Sequence, residues 1–247
     1  MPADQKRRQP KVLAISSPKG GVGKTQTAVT LAHLASLEGY RVFLADADAN
    51  RSAADWATRS GERVKFDVED LREVGPRVLG RLRELRDYDL VVVDLPGAEE
   101  SEAWRVLLNG SDGKPVFDAI VVPSGVRAMD LRPVARALAG PVSKSGVPYL
   151  LVGTLVKTPS VPQANTDLAD LAASGISVAR TIIRDLSVHA DAVRENKPIT
   201  DMPGGSHSTA RAAEREYRSL AREVFGGLLG LQWSQPDSMT EPTKGNH

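Results

Sequence analysis

Ten residues near the start of the chain carry the densest chemistry, Ser16-Ser17-Pro18-Lys19-Gly20-Gly21-Val22-Gly23-Lys24-Thr25. They lie between a short apolar run, Val12-Leu13-Ala14-Ile15, and a helically spaced stretch that starts at Thr27. Glycines let a backbone wrap so that several N–H groups point inward at phosphate oxygens. A helix starting at the end of the loop adds unpaired N–H donors and the positive end of its dipole. Lys24 supplies a point charge for the β- and γ-phosphates, and the Thr25 hydroxyl suits Mg²⁺. Nucleotide contact is therefore expected from Lys19, Gly20, Gly21, Val22, Gly23, Lys24, Thr25 and Gln26.

Three aspartates complete the set. Asp46 and Asp48 follow the apolar run Val42-Phe43-Leu44-Ala45, and Asp94 ends Leu90-Val91-Val92-Val93. One carboxylate near a metal and one near an attacking water is the chemistry that nucleotide hydrolysis requires. Thr25, Asp46 and Asp94 are the expected metal residues. Lys24 at the phosphates and a carboxylate of the Asp46–Asp48 pair at the water are the expected catalytic groups, and Lys19 is a second cation beside the phosphates.

These residues need strands that end together and helices that cover them. The chain supplies short buried runs alternating with amphipathic stretches, the pattern of a doubly wound sheet with its ligand at the carboxyl ends of the strands. The expected fold is α/β, a single doubly wound, mainly parallel sheet flanked by helices, of the P-loop NTPase kind. Helix 1 should run to about Glu38 and stop at Gly39. A strand is expected at Val64-Lys65-Phe66-Asp67-Val68, and an amphipathic helix over 71–86, with Leu71, Val74, Val78, Leu82 and Leu85 on one face. A further helix should carry Pro133 in its first turn. Residues 1–10 read as a flexible basic arm, 11–233 as the ATPase domain and 234–247 as a disordered tail.

The form Lys19-Gly20-Gly21-Val22-Gly23-Lys24-Thr25 has Pro18 where the ordinary pattern has its first glycine. It resembles the deviant phosphate loop of the ParA/MinD family of ATPases, and most closely the small ParA proteins that lack an N-terminal helix-turn-helix domain. Asp46-Ala47-Asp48-Ala49-Asn50 resembles the family's D-x-D-P-Q element, with Ala49 and Asn50 departing from it. Asp94-Leu95-Pro96-Gly97 fits the family's second acidic motif. The resemblance implies that Lys19 reaches across a dimer interface to the partner's nucleotide and that Asp48 positions or activates water. It also implies an ATP-dependent homodimer and a slow, Mg²⁺-dependent ATPase that binds non-specific DNA. A ParB-like partner would stimulate it, and a plasmid or chromosome would be segregated. Arg184 matches one of the family's DNA contacts, Arg211 another. Many relatives carry asparagine near Thr154 to read adenine. The segment Ser124 to Leu131, with its Asp130-Leu131 pair, resembles a loop near the dimer interface.

Composition narrows the field. The 247 residues suffice for one large α/β domain. A net charge of +1 gives no global pull toward nucleic acid, so DNA affinity must come from a local patch. Cysteine is absent, which excludes thiol catalysis, disulfides and cysteine-held iron–sulfur clusters. No apolar run is long enough to span a bilayer, so no membrane partner and a cytoplasmic location are expected, on the nucleoid when ATP is bound. Asn196-Lys197-Pro198-Ile199 lacks the final aspartate of a guanine-reading element, which favours ATP over GTP. Two alternatives remain open: a MinD-like positioning ATPase on membrane, which liposome binding would reveal, and a nucleotide-gated scaffold with little turnover.

Overall fold

The computed structural model describes residues 8–48, 52–71, 76–96, 113–205 and 208–234. Ala49, Asn50, Gly97, most of the basic arm and nearly all of the tail lie outside the described residues. Strands β1 Lys11–Ile15, β2 Val42–Asp46, β3 Asp67–Asp70, β4 Leu90–Asp94, β5 Ala119–Ser124, β6 Tyr149–Val156 and β7 Val178–Arg184 form one sheet. Their order is β3-β2-β4-β1-β5-β6-β7, and every pairing is parallel. Helices α1 Lys24–Leu37, α2 Ser52–Ser60, α3 Ala128–Ala137, α4 Val161–Ala173, α5 Ser187–Glu195 and α6 Thr209–Ala221 connect and cover it.

A parallel sheet must be buried on both faces, because its crossovers place helices on each side. The central strands therefore read as unbroken apolar runs. Their side chains still alternate. Leu13, Ile15, Leu44, Val92 and Val121 face a core shared with Leu31 and Leu34 of α1 and Tyr217 and Leu220 of α6. Val12, Ala14, Phe43, Val91, Val93 and Val122 face a second core with Leu131 and Val134 of α3. Each fully buried Leu or Ile contributes roughly 1.5–3 kcal/mol, so the strands under the phosphate loop are firmly held.

β7 is an edge strand, and its outward N–H groups need acceptors. Glutamates on and just after α6 supply them. Glu223 accepts from Arg180 N–H (2.8 Å) and Thr181 N–H (3.0 Å), and Glu216 accepts from Arg184 N–H (2.9 Å). These contacts close the edge and lock α6 onto the sheet. After α6 the chain widens into a π turn, Arg222–Leu228, and Phe225 stacks on Trp233 with ring centroids 4.6 Å apart.

Three local expectations change. The helix over 71–86 is not continuous: only a single turn, Pro76–Leu79, and a 3₁₀ turn, Leu82–Glu84, are present among the described residues. The apolar spacing was helical, but Pro76 and Gly80 interrupt it. The strand expected at 64–68 lies later, at Asp67–Asp70, where it pairs with β2 from Phe43 to Asp46. Pro133 sits in the interior of α3, because that helix begins at Ala128.

Candidate nucleotide site at the carboxyl edge of the sheet

β1 ends at Ile15, and the loop turns over its tip into α1. Gly21 and Gly23 have φ of +72° and +81°, a region that side chains make costly, so both turns need glycine. Gly23 caps α1 without any side-chain hydrogen bond, which leaves the first N–H groups of the helix open to an anion. Lys24 is buried at the start of the helix. The buried Thr154 hydroxyl donates to the Val22 carbonyl (2.7 Å), tying the loop to β6. Gln26 donates from Nε2 to the Thr30 hydroxyl (3.0 Å), so its side chain serves the helix.

Register brings the carboxylates together. Asp94 pairs directly with Ile15 on one side and with Asp46 on the other. Both aspartates are fully buried, but they are used differently. Asp46 accepts from Asp48 N–H (3.1 Å) through Oδ1 and from Ala53 and Ala54 N–H (3.0 and 2.9 Å) through Oδ2. It thereby holds the Asp48 turn and caps α2. Burial raises its pKa, and these bonds offset part of the rise. Asp94 has both oxygens buried without a hydrogen-bond partner of normal geometry. Burial, helped by the charges of Asp46 and Asp48, pushes it up to about 7. The Thr25 hydroxyl and the Lys24 charge are close enough to offset part of this. An orphaned buried carboxylate beside a hydroxyl and a lysine, under a loop of open N–H groups, fits a hydrated Mg²⁺ carrying a polyphosphate.

Lys19 does not point at this centre. Its ammonium is ion-paired with Asp130 near the start of α3. Asp130 folds back over Gly125, where a Cβ would meet its Oδ2 at 2.4 Å. A cleft of about 310 Å³ lies between the loop and the ends of β5 and β6, lined by Lys19, Gly21, Val126, Asp130, Leu155 and Lys157. Leu155 on its rim has a φ of +54°, and Met129 is 69 % exposed. The sequence marks Asp130 as part of a loop that resembles one near a dimer interface, but its pairing with Lys19, 111 positions away, has no local signal.

The expected DNA residues separate. Arg184 turns inward: its guanidinium is ion-paired with Glu216, and its side chain is 28 % exposed. Arg211 is more open and shares Glu214 with Arg218. Arg211, Arg215, Arg218 and Arg222 recur at helical spacing along α6 and its extension, one stripe that the sequence reading reduced to Arg211.

An all-parallel doubly wound sheet, with a glycine loop, a buried lysine and a buried carboxylate at one edge, defines a P-loop nucleotide-binding protein. The CobQ/CobB/MinD/ParA nucleotide binding domain matches residues 13–199, and the chain belongs to that family. It is 36% identical over 216 residues to the maintenance of carboxysome distribution protein A of Gloeobacter kilaueensis, covering 87% of this chain and 94% of that one. Among solved structures, the MinD cell division protein of Aquifex aeolicus superposes with a TM-score of 0.67 at 18% identity, covering 92% of this chain and 98% of that one. A plasmid partition protein of Borrelia burgdorferi bound to AMPPNP superposes with a TM-score of 0.62 at 16% identity, over 87% of this chain and 100% of that one. Among the described residues, no helix is long and apolar enough to cross a membrane.

Proposed function

We propose that this protein is an ATP-dependent dimerising ATPase that binds DNA without sequence preference and positions a large cargo through a partner protein. The observation that carries this reading is Asp94, buried without a hydrogen-bond partner of normal geometry beside Thr25 and Lys24 at the foot of the loop. Thr25 and Asp94 would hold Mg²⁺, which would neutralise charge on the β- and γ-phosphates. Asp46, its oxygens engaged by backbone N–H groups, sets the turn that presents Asp48. Asp48 orients the attacking water. Lys19, released from Asp130, reaches the nucleotide of a second copy.

DNA would lie along the arginine stripe of α6. The chain is nearly neutral, so one copy binds weakly and two copies on one surface bind well. Each phosphate neutralised steepens the salt dependence by about 0.9 in log–log slope, so dimerisation should both tighten binding and steepen it. The relative matched over 94% of its length is named for carboxysome distribution, which favours a protein-adapted cargo beside the plasmid or chromosome first expected. A ParB-like protein, or an adaptor in its place, would stimulate turnover. The test is a salt titration of binding to two unrelated duplexes with ATP or ADP and Mg²⁺. Tight, salt-sensitive binding to both duplexes with ATP alone is expected. Equal affinity with ADP, or preference for one duplex, would overturn the reading.

A further inference from the structure

We infer that Thr154 is a positioning residue for the nucleotide: its hydroxyl aims the phosphate loop, in place of any reading of the base. The inference rests on the ATP-binding reading above. Thr154 lies on the face of β6 that also carries Leu150 and Val152 toward α1. It is 2 % exposed. Its hydroxyl donates to the Val22 carbonyl at 2.7 Å, with the Ser124 carbonyl at 3.2 Å as a secondary acceptor. One proton therefore links the loop, the end of β5 and the end of β6.

Val22 is the residue before Gly23, so its carbonyl belongs to the same peptide plane as the Gly23 N–H. In a planar trans peptide the C=O and N–H point in opposite directions. Holding the Val22 carbonyl toward β6 thus turns the Gly23 N–H the other way, into the concavity of the loop. A loop that must keep its N–H groups free for phosphate can be anchored only through its carbonyls and side chains, and Thr154 takes such a carbonyl. β6 is itself seated tightly here: a Cβ on Gly153 would meet Val126 Cγ1 at 2.9 Å and Leu168 Cδ1 at 3.1 Å. The hydroxyl therefore has little freedom to move away. A Thr154 engaged in this way has no donor left for an adenine edge.

The test compares Thr154→Val, which removes the hydroxyl at nearly constant shape, with Thr154→Ser, which keeps it. Calorimetry with Mg-ADP and Mg-ATP and steady-state hydrolysis give the readouts. Thr154→Val should bind ADP and ATP about three- to tenfold more weakly, the worth of one hydrogen bond, and Thr154→Ser should stay within about twofold of wild type. The loss should appear in KM, with kcat at saturation largely kept, because bound nucleotide holds the loop at saturation and Asp48 is set by Asp46 on a separate turn. A purely structural role would instead lower the melting temperature of the empty protein and leave the affinity of the folded fraction unchanged. Should Thr154→Val not fold, Thr154→Cys, a much poorer donor of similar size, takes its place against Thr154→Ser. Equal affinity of the Val or Cys variant and wild type, or equal weakening by Ser, would overturn the inference. Wild-type protein that binds neither nucleotide would sink the ATP reading as well; wild-type binding with an unaffected Val variant would sink this inference alone.

Discussion

Asp46 and Asp94 are neighbours in register and equally buried, yet removing them should change stability in opposite directions. Asp46→Ala strips the acceptors from three backbone N–H groups. A buried donor left unpaired costs about 1–3 kcal/mol. The burial that raises the pKa of Asp46 returns part of this, so a net loss of roughly 2–4 kcal/mol is expected, or about 4–16 °C in Tm for a chain of this size. Asp94→Ala costs at most the contact with the Thr25 hydroxyl, since both carboxylate oxygens lack a partner of normal geometry. It removes a carboxylate whose pKa burial has pushed from 3.8 to about 7. That rise corresponds to about 4 kcal/mol of penalty on the charged form. The sign follows from linkage: the penalty is complete above about pH 7 and absent below about pH 4, where folded and unfolded chains both carry a neutral group. Urea unfolding at about pH 8, without nucleotide and with a chelator, should therefore find Asp94→Ala more stable than wild type, by as much as about 4 kcal/mol less the packing of the lost carboxyl. With Mg-ADP at about a hundred times its Kd, wild type should gain about 2.7 kcal/mol and Asp94→Ala much less. If Asp94→Ala destabilises the empty protein as Asp46→Ala does, Asp94 is a structural group and the assignment to metal is wrong.

Further outcomes follow from the same geometry. Lys19→Ala should keep nucleotide affinity but lose dimerisation with a non-hydrolysable ATP analogue, as light scattering would show; a dimer of that variant would remove Lys19 from the interface. Asp48→Ala should bind ATP normally and lose about 10²–10⁴ in single-turnover rate, the usual share of a general base; an unchanged rate would assign the water to another group. Burial holds His33 and His189 below their ordinary 6.5, so they stay neutral in the folded chain and protonate when it unfolds. The stability they allow is full above about pH 6.5 and drains away as pH falls, while the Asp94 penalty runs the opposite way over the same range; in the Asp94→Ala background the urea midpoint should therefore drop from about pH 7.5 to about pH 5.5, and drop less when His33→Asn and His189→Asn are added. A midpoint independent of pH in the Asp94→Ala background would contradict the burial of both rings.

The phosphate loop was legible because its function depends on local spacing: the glycines, Lys24 and Thr25 are adjacent in the chain, and strand and helix lie on either side. Gly39 at the end of α1, the β2 and β4 aspartates and the parallel sheet were legible for the same reason. What escaped the sequence depends on distance in space. Asp46 was expected at the metal because it ends a strand beside the loop; its engagement with Ala53 and Ala54 needed the path of the following turn. Thr154 was noted as an absent asparagine, because nothing local says that β6 passes close to Val22. Arg184 matched a DNA contact by position, but Glu216, 32 residues later, turns it inward. The helix over 71–86 failed because apolar periodicity outweighed Pro76 and Gly80, which the structure obeys.

The measurement that bears most directly on the account is the mass of the protein in solution with each nucleotide. Light scattering on the wild-type chain with Mg²⁺ and a non-hydrolysable ATP analogue should give twice the 26.5 kDa of one chain, and with ADP or no nucleotide a single chain. Lys19 is ion-paired with Asp130 of its own chain, and on the proposed reading ATP would draw it out toward a second copy. The same mass with ATP analogue and ADP, whether monomer or dimer, would contradict a nucleotide-gated dimer and the function built on it.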